Sequence, residues 1–293
     1  MSKLATHCLI SGLCLLAIGC ANVEKLSDVA YDHRFGSSTI MDVYLPDDGA
    51  VDRPAVLMIH GGGWSSFSKS SLGADAERLA GAGYVVGNIN YRLTPSGVYP
   101  NLMQDSHCAL AFFRSKASEY GLDPDRVAVY GYSAGAHMAS LLAVASDEPD
   151  FQPDCPAGST FAPAAVISGA GPQDLIDMSW AGQVQKLIGG TLAEYPERYR
   201  KASPIERVVQ GTPPFLMIHG TQDLFVPIDH SRRMRARLRE VGTDAKVLEL
   251  SWGGHLLNNG ADPGQLDGVT SAATPEAWAA MIDFLDHTIG DLR

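Results

Sequence analysis

The stretch "YGYSAGAHMA", residues 130–139, sets Ser133 between Gly131 and Gly135 and follows directly on "RVAV". A serine in G-x-S-x-G can be a nucleophile or only a residue in a glycine-flanked turn. A hydroxyl at neutral pH needs a base, and the base needs a carboxylate to orient it. "IHGTQD" supplies Asp223 and "SWGGH" supplies His255, both downstream of the serine. "HGGGW", residues 60–64, could turn backbone N–H groups toward a developing oxyanion, since three glycines leave no side chains in the way. Together these residue types suit acyl transfer through a serine.

The elements that must position them follow from hydrophobic patterning. "TIMDVYLP" (39–46) alternates like a half-buried strand, and "AVLMIHGGG" (55–63) is a continuous apolar run ending in glycines, as a central strand requires. Strands are also expected at 84–93, at "RVAVYGYS", at 162–170, 213–223 and 245–252. Helices are expected at 71–83, 99–121, "AGAHMASLLAVAS", "DHSRRMRARLREVG" and 274–290. Strands therefore alternate with helices, which predicts a mostly parallel central sheet with helices on both faces in one α/β domain. A first strand beginning close to Cys20 would leave no room for cap helices, so a lid is expected only from residues 171–207, and a minimal one.

In this frame Ser133 sits at a strand-to-helix junction, where the helix N-terminus favours an oxyanion. Asp223 and His255 each follow a strand C-terminus, in the chain order serine, acid, histidine used by doubly wound hydrolases. The predicted oxyanion donors are the amides of Gly62, Gly63 and Ala134. Among nine histidines, His60 and His219 also end strands and compete for the role of base, but only His255 follows the acid with one strand between. Asp229 and Asp174, in "GPQD", are rival acids, the latter readable as a turn or cap aspartate. Trp64 could floor a pocket or pack in the core. Residues 256–273 form a long segment expected to border the site.

A net charge of −11 repels phosphate backbones and argues against nucleic acid as a partner. The charged fraction of 19% against 45% hydrophobic residues provides for a large core. There is no H-E-x-x-H, no paired-cysteine zinc spacing and no G-x-x-x-x-G-K loop, so neither metal nor cofactor is expected. The oligomeric state is left open. Of five cysteines, Cys108 and Cys155 lie in the body of the chain and form either a disulfide or two separate thiols. "MSKLATHCLISGLCLLAIGC" carries an apolar run too short for the roughly 20 residues that a bilayer requires, which reads as the core of a signal peptide.

"LAIGC" resembles a bacterial lipoprotein lipobox. That resemblance implies a leader at 1–19, a mature domain at 20–293, lipidation of Cys20 and a cell-envelope location in which the lipid anchor is the sole membrane contact. Ordinary secretion and an uncleaved segment are the alternatives. "HGGGW", "NYRLTP…YP", "DPDRVAVYGYSAGAHMA", "PPFLMIHGTQD" and "GGH" resemble the α/β-hydrolase superfamily, nearest the carboxylesterase group around hormone-sensitive-lipase-like and feruloyl-esterase-like proteins. The resemblance spans roughly residues 36–290. It implies nucleophile Ser133, acid Asp223, base His255 and an oxyanion motif at His60–Gly63. The resemblance says little about the substrate; the minimal lid predicts a small-molecule ester with a short acyl chain, and an open site in an envelope protein suits one on a carbohydrate or a phenolic group. An amidase, arylformamidase or peptidase on the same fold is the alternative, and an inactive binding protein or structural lipoprotein a more distant one.

Overall fold

The computed structural model describes residues 22–152, 154–158, 160–251, 253–255 and 274–290. The expected leader, with Cys20, and the 256–273 segment lie outside the described residues. Eight strands form one sheet in the order β1-β2-β4-β3-β5-β6-β7-β8. They are β1 (Val23–Ala30), β2 (Ile40–Pro46), β3 (Arg53–Ile59), β4 (Val85–Ile89), β5 (Leu122–Tyr132), β6 (Ala165–Gly169), β7 (Phe215–Gly220) and β8 (Ala245–Leu250). The β1–β2 and β2–β4 pairs are antiparallel; every other pair is parallel.

The helices are α1 (Gly73–Gly81), α2 (Asn101–Ser115), α3 (Ala117–Tyr120), α4 (Ala134–Val144), α5 (Gly182–Ile188), α6 (Pro196–Lys201), α7 (Asp229–Glu240) and α8 (Pro275–Thr288). Successive side chains of a strand point to opposite faces, and β3 obeys this with both faces buried. Leu57 and Ile59 join a core with Leu102 of α2, Met138 of α4 and Met234 of α7. Val56 and Met58 join a second core with Leu79 of α1 and Met281 and Phe284 of α8. This is the doubly wound layering predicted from the alternation of elements.

The chain leaves β3 toward β4 on one side and leaves β5 toward β6 on the other, so the β3/β5 boundary is the switch point where open α/β sheets bind ligands. The parallel register pairs Ile59 with Gly131. That brings the "HGGG" loop level with Tyr132 and Ser133.

Three details differ from the sequence reading. The edge strand β1, "VEKLSDVA", is not foreshadowed because its two faces are largely exposed and carry charges. The helix expected over 99–121 divides at Lys116, and Gly121 closes the second piece with φ +66°. The strand expected over 84–93 stops at Ile89, after which the Arg92 amide and guanidinium bind the buried Asp105. Cys108 of α2 is bridged to Cys155, with Cα atoms 5.2 Å apart. A cross-link closing a loop of this size is worth about 4 kcal/mol in the chain-entropy account.

Candidate active site

The turn after β5 is built by steric necessity. A β-carbon on Gly131 would strike the carbonyl of Gly135, and one on Gly135 would strike the carbonyl of Ile59. Only glycine at both positions lets β5, α4 and β3 meet this closely. Between them Ser133 holds φ +53°, unusual for a residue with a side chain. Its amide donates to Gly169 O at 2.7 Å, which pins the turn to the end of β6. The strain lifts the hydroxyl above the C-terminal edge of the sheet.

Ser133 Oγ lies 2.9 Å from His255 Nε2, and His255 Nδ1 lies 2.7 Å from Asp223 Oδ2. A carboxylate only accepts, so Nδ1 carries the proton and the Nε2 lone pair faces the serine hydroxyl. The chain thus brings together its three sequence-predicted residues in a relay that can take a proton from Ser133. Asp223 Oδ1 accepts from the amides of Phe225 and Val226, each at 2.9 Å. Burial opposes the Asp223 charge, yet hydrogen bonds from His219 and His255 outweigh it and hold the carboxyl well below the usual carboxylate range. The His255 ring sits between Tyr132 and Phe225, with centroids 5.9 and 5.5 Å away.

The "HGGG" loop passes directly over the nucleophile turn. A β-carbon on Gly61 would lie 2.9 Å from Tyr132 O and 3.3 Å from Ser133 Cβ. Gly62 and Gly63 follow with φ of +108° and +57°, and a β-carbon on Gly62 would strike the carbonyl of Ser66. Ala134, the third predicted donor, is the first residue of α4. The 171–207 segment reaches the same loop: Gln183 of α5 comes within 3.4 Å of where a Gly63 β-carbon would be.

The rival residues lie in other settings. His60 is buried, stacks on Tyr91 at 4.4 Å and faces Gly61 O at 2.7 Å; burial lowers its pKa to about 4. Asp229 is exposed at the start of α7. Asp174 closes a turn and pairs with Arg233. Trp64 is buried against the edge of His137, centroids 5.3 Å apart, which is a core role. His219 is the informative one. The sequence suggested a competing base, but its Nε2 lies 3.2 Å from Asp223 Oδ2 and 2.8 Å from Val226 O. Its place beside the acid four residues later in "IHGTQD" was the available signal, as was the run of glycines from Gly61 for the close approach to Ser133.

Known proteins resemble this chain in sequence and in fold. Esterase LipC of Mycobacterium tuberculosis is 33% identical over 78% of this chain, and the chain spans 58% of the length of that relative. A truncated carbohydrate esterase from gut microbiota superposes with a TM-score of 0.76 at 24% identity, covering 92% of this chain and 97% of the other. The esterase Est2 of the Planctomycetes species Thermogutta terrifontis gives a TM-score of 0.72 at 22% identity, with 92% and 93% covered. The two structural likenesses establish the α/β-hydrolase fold. Residues 41–238, more than half of the sequence, match the model of one family, and the chain therefore belongs to the BD-FAE family.

Proposed function

We propose that the protein is a carboxylic-ester hydrolase that cleaves short-chain acyl esters through an acyl-enzyme on Ser133. The observation that carries this reading is the unbroken relay from Ser133 Oγ through His255 to Asp223. Ser133 attacks the ester carbonyl carbon and its proton passes to His255 Nε2. Asp223 keeps its charge and stabilises the imidazolium. The bond to the leaving oxygen breaks as His255 returns that proton to the alcohol. Water then attacks the acyl-enzyme along the same proton path, releasing the acid and restoring Ser133. The amides of Gly62, Gly63 and Ala134 take the oxyanion, and the scheme uses neither metal nor cofactor.

The esterase and carbohydrate-esterase names of the similar proteins agree with this chemistry. Only two short α-helices and one short 3-10 helix occupy the 171–207 segment, which supports short acyl groups, carried on carbohydrates or phenolic alcohols. The lipobox-like "LAIGC" supports an envelope location with an anchor at Cys20.

The test is turnover of p-nitrophenyl esters of increasing acyl length by the chain from residue 21 onward, beside Ser133→Ala. Acetyl or butyryl ester turnover that falls by about 10³ or more in the variant is the expected result. Cleavage of N-formylkynurenine with no ester turned over would replace the esterase by the amidase reading. A Ser133→Ala variant as active as the parent would overturn both.

A further inference from the structure

Asp223 has a second imidazole. His219 is the penultimate residue of β7, with its side chain fully buried, and both of its ring nitrogens are engaged. Nε2 faces two groups that can only accept, Val226 O at 2.8 Å and Asp223 Oδ2 at 3.2 Å, so Nε2 carries a proton shared between them. Nδ1 lies 2.7 Å from Ser231 Oγ on α7. In a neutral ring Nδ1 must accept, so the Ser231 hydroxyl donates to it. The oxygen that receives the His255 proton bond is therefore the same oxygen that His219 holds from the other side.

We infer that His219 is a positioning residue for the acid of the relay, and that Ser231 sets its tautomer. This rests on the esterase reading above. His219 fixes the carboxylate plane by bonding Oδ2 while it anchors the 223–226 turn through Val226 O. It also draws off part of the charge that Asp223 presents to His255. A ring that accepts at Nδ1 does this without putting a second cation beside the imidazolium that forms on His255. Among the described residues, the other titratable groups facing this cluster are Tyr132 at the end of β5, toward Asp223, and His230 of α7 and Glu249 of β8, toward His219.

The experiment compares His219→Leu, His219→Gln and Ser231→Ala with the parent, reading kcat, KM and the acid limb of kcat/KM against pH. Ser133→Ala runs beside them as the control for the esterase reading. With the donor gone, Asp223 keeps more charge for His255 and favours its protonated form, so the limb moves to higher pH. His219→Leu should lower kcat by roughly tenfold with little change in KM and raise the limb by about half a pH unit. Glutamine, whose amide nitrogen can reach the position of Nε2, should recover much of both. Should His219→Leu fail to fold, Ser231→Ala decides, with a smaller shift of the limb in the same direction. A limb and a kcat that stay put in the variants that fold, with stability alone reduced, would overturn the inference while Ser133→Ala still reported an intact esterase. Activity surviving in Ser133→Ala would instead remove the reading beneath it.

Discussion

After β6 the chain places Asp174, and after the adjacent β7 it places Asp223. In both, Oδ1 accepts from backbone amides two and three residues on: Ile176 and Asp177 at 3.1 Å in the first, Phe225 and Val226 at 2.9 Å in the second. The local turn is the same device twice. The second oxygen separates them. Asp174 Oδ2 meets Arg233, whose side chain is 41% exposed, whereas Asp223 Oδ2 meets His255 and His219 with none of its own side chain exposed. A carboxylate turn is thus a general way to end a strand. It becomes chemically useful where the remaining oxygen is buried and its partner can exchange a proton.

The largest break in this parallel should come from removing the two charges. Asp223→Asn keeps the shape but presents an amide that favours the wrong His255 tautomer, and kcat should fall by about 10³–10⁴. Asp174→Asn should leave kcat within about threefold, because its carboxylate bonds an arginine rather than the base. Steady-state kinetics on an acetyl ester, with circular dichroism to establish folding, checks the pair. A comparable loss in both variants would show that the two turns share one function.

Acid titration sharpens the same contrast. The Asp223 carboxyl titrates below its ordinary value of 3.8 in the folded chain. Its charge then stabilises the fold at pH above that value, and the contribution is lost as pH falls through the lowered folded value. The urea stability gap between the parent and Asp223→Asn should be widest near neutral pH and close in strong acid. A gap that is constant with pH would mean that packing, not charge, holds Asp223 in place.

How far the sequence exposed this site depends on which contacts are local. Ser133 was legible because Gly131 and Gly135 mark a tight strand-to-helix turn, and the sterics of that turn are written in consecutive residues. Asp223 and Asp174 offer nearly identical local signals, and both lie between Ser133 and His255 in the chain; the single strand between Asp223 and His255 is what favours Asp223. His219 could be read no further than a strand-ending histidine. Its role depends on α7 packing beside β7 to bring Ser231 within reach, and on the 223–226 turn folding back over the ring. The strand β1 escaped notice for a related reason: its pairing with β2 is fixed by the sheet edge, while "VEKLSDVA" shows no buried face of its own. Trp64 was readable both ways until His137, on a different element, supplied its partner.

A smaller effect tests the turn itself. Asp174→Ala removes the acceptor for two amides as well as the arginine pair, and should lower unfolding stability by about 1–2 kcal/mol in urea. Asp174→Asn keeps an acceptor oxygen and should lose less. If alanine and asparagine cost the same, the amides contribute nothing and the likeness to the Asp223 turn is only one of shape.

The smallest effect belongs to Arg233. It contacts both Asp174 and Asp177, but its guanidinium is partly in water, where screening and side-chain entropy leave an ion pair worth under about 1 kcal/mol. Arg233→Gln should therefore shift the urea midpoint only slightly. The stronger discriminator is salt. At 1 M the screening length falls to about 3 Å, so the gap between parent and Arg233→Gln should narrow further as sodium chloride is raised. The gap for Asp223→Asn should not, because no mobile ion can enter between a fully buried carboxylate and the two imidazoles bonded to it. Equal salt sensitivity in the two variants would place Asp223 in contact with solvent ions, and the burial that distinguishes the two turns would no longer explain their different chemistry.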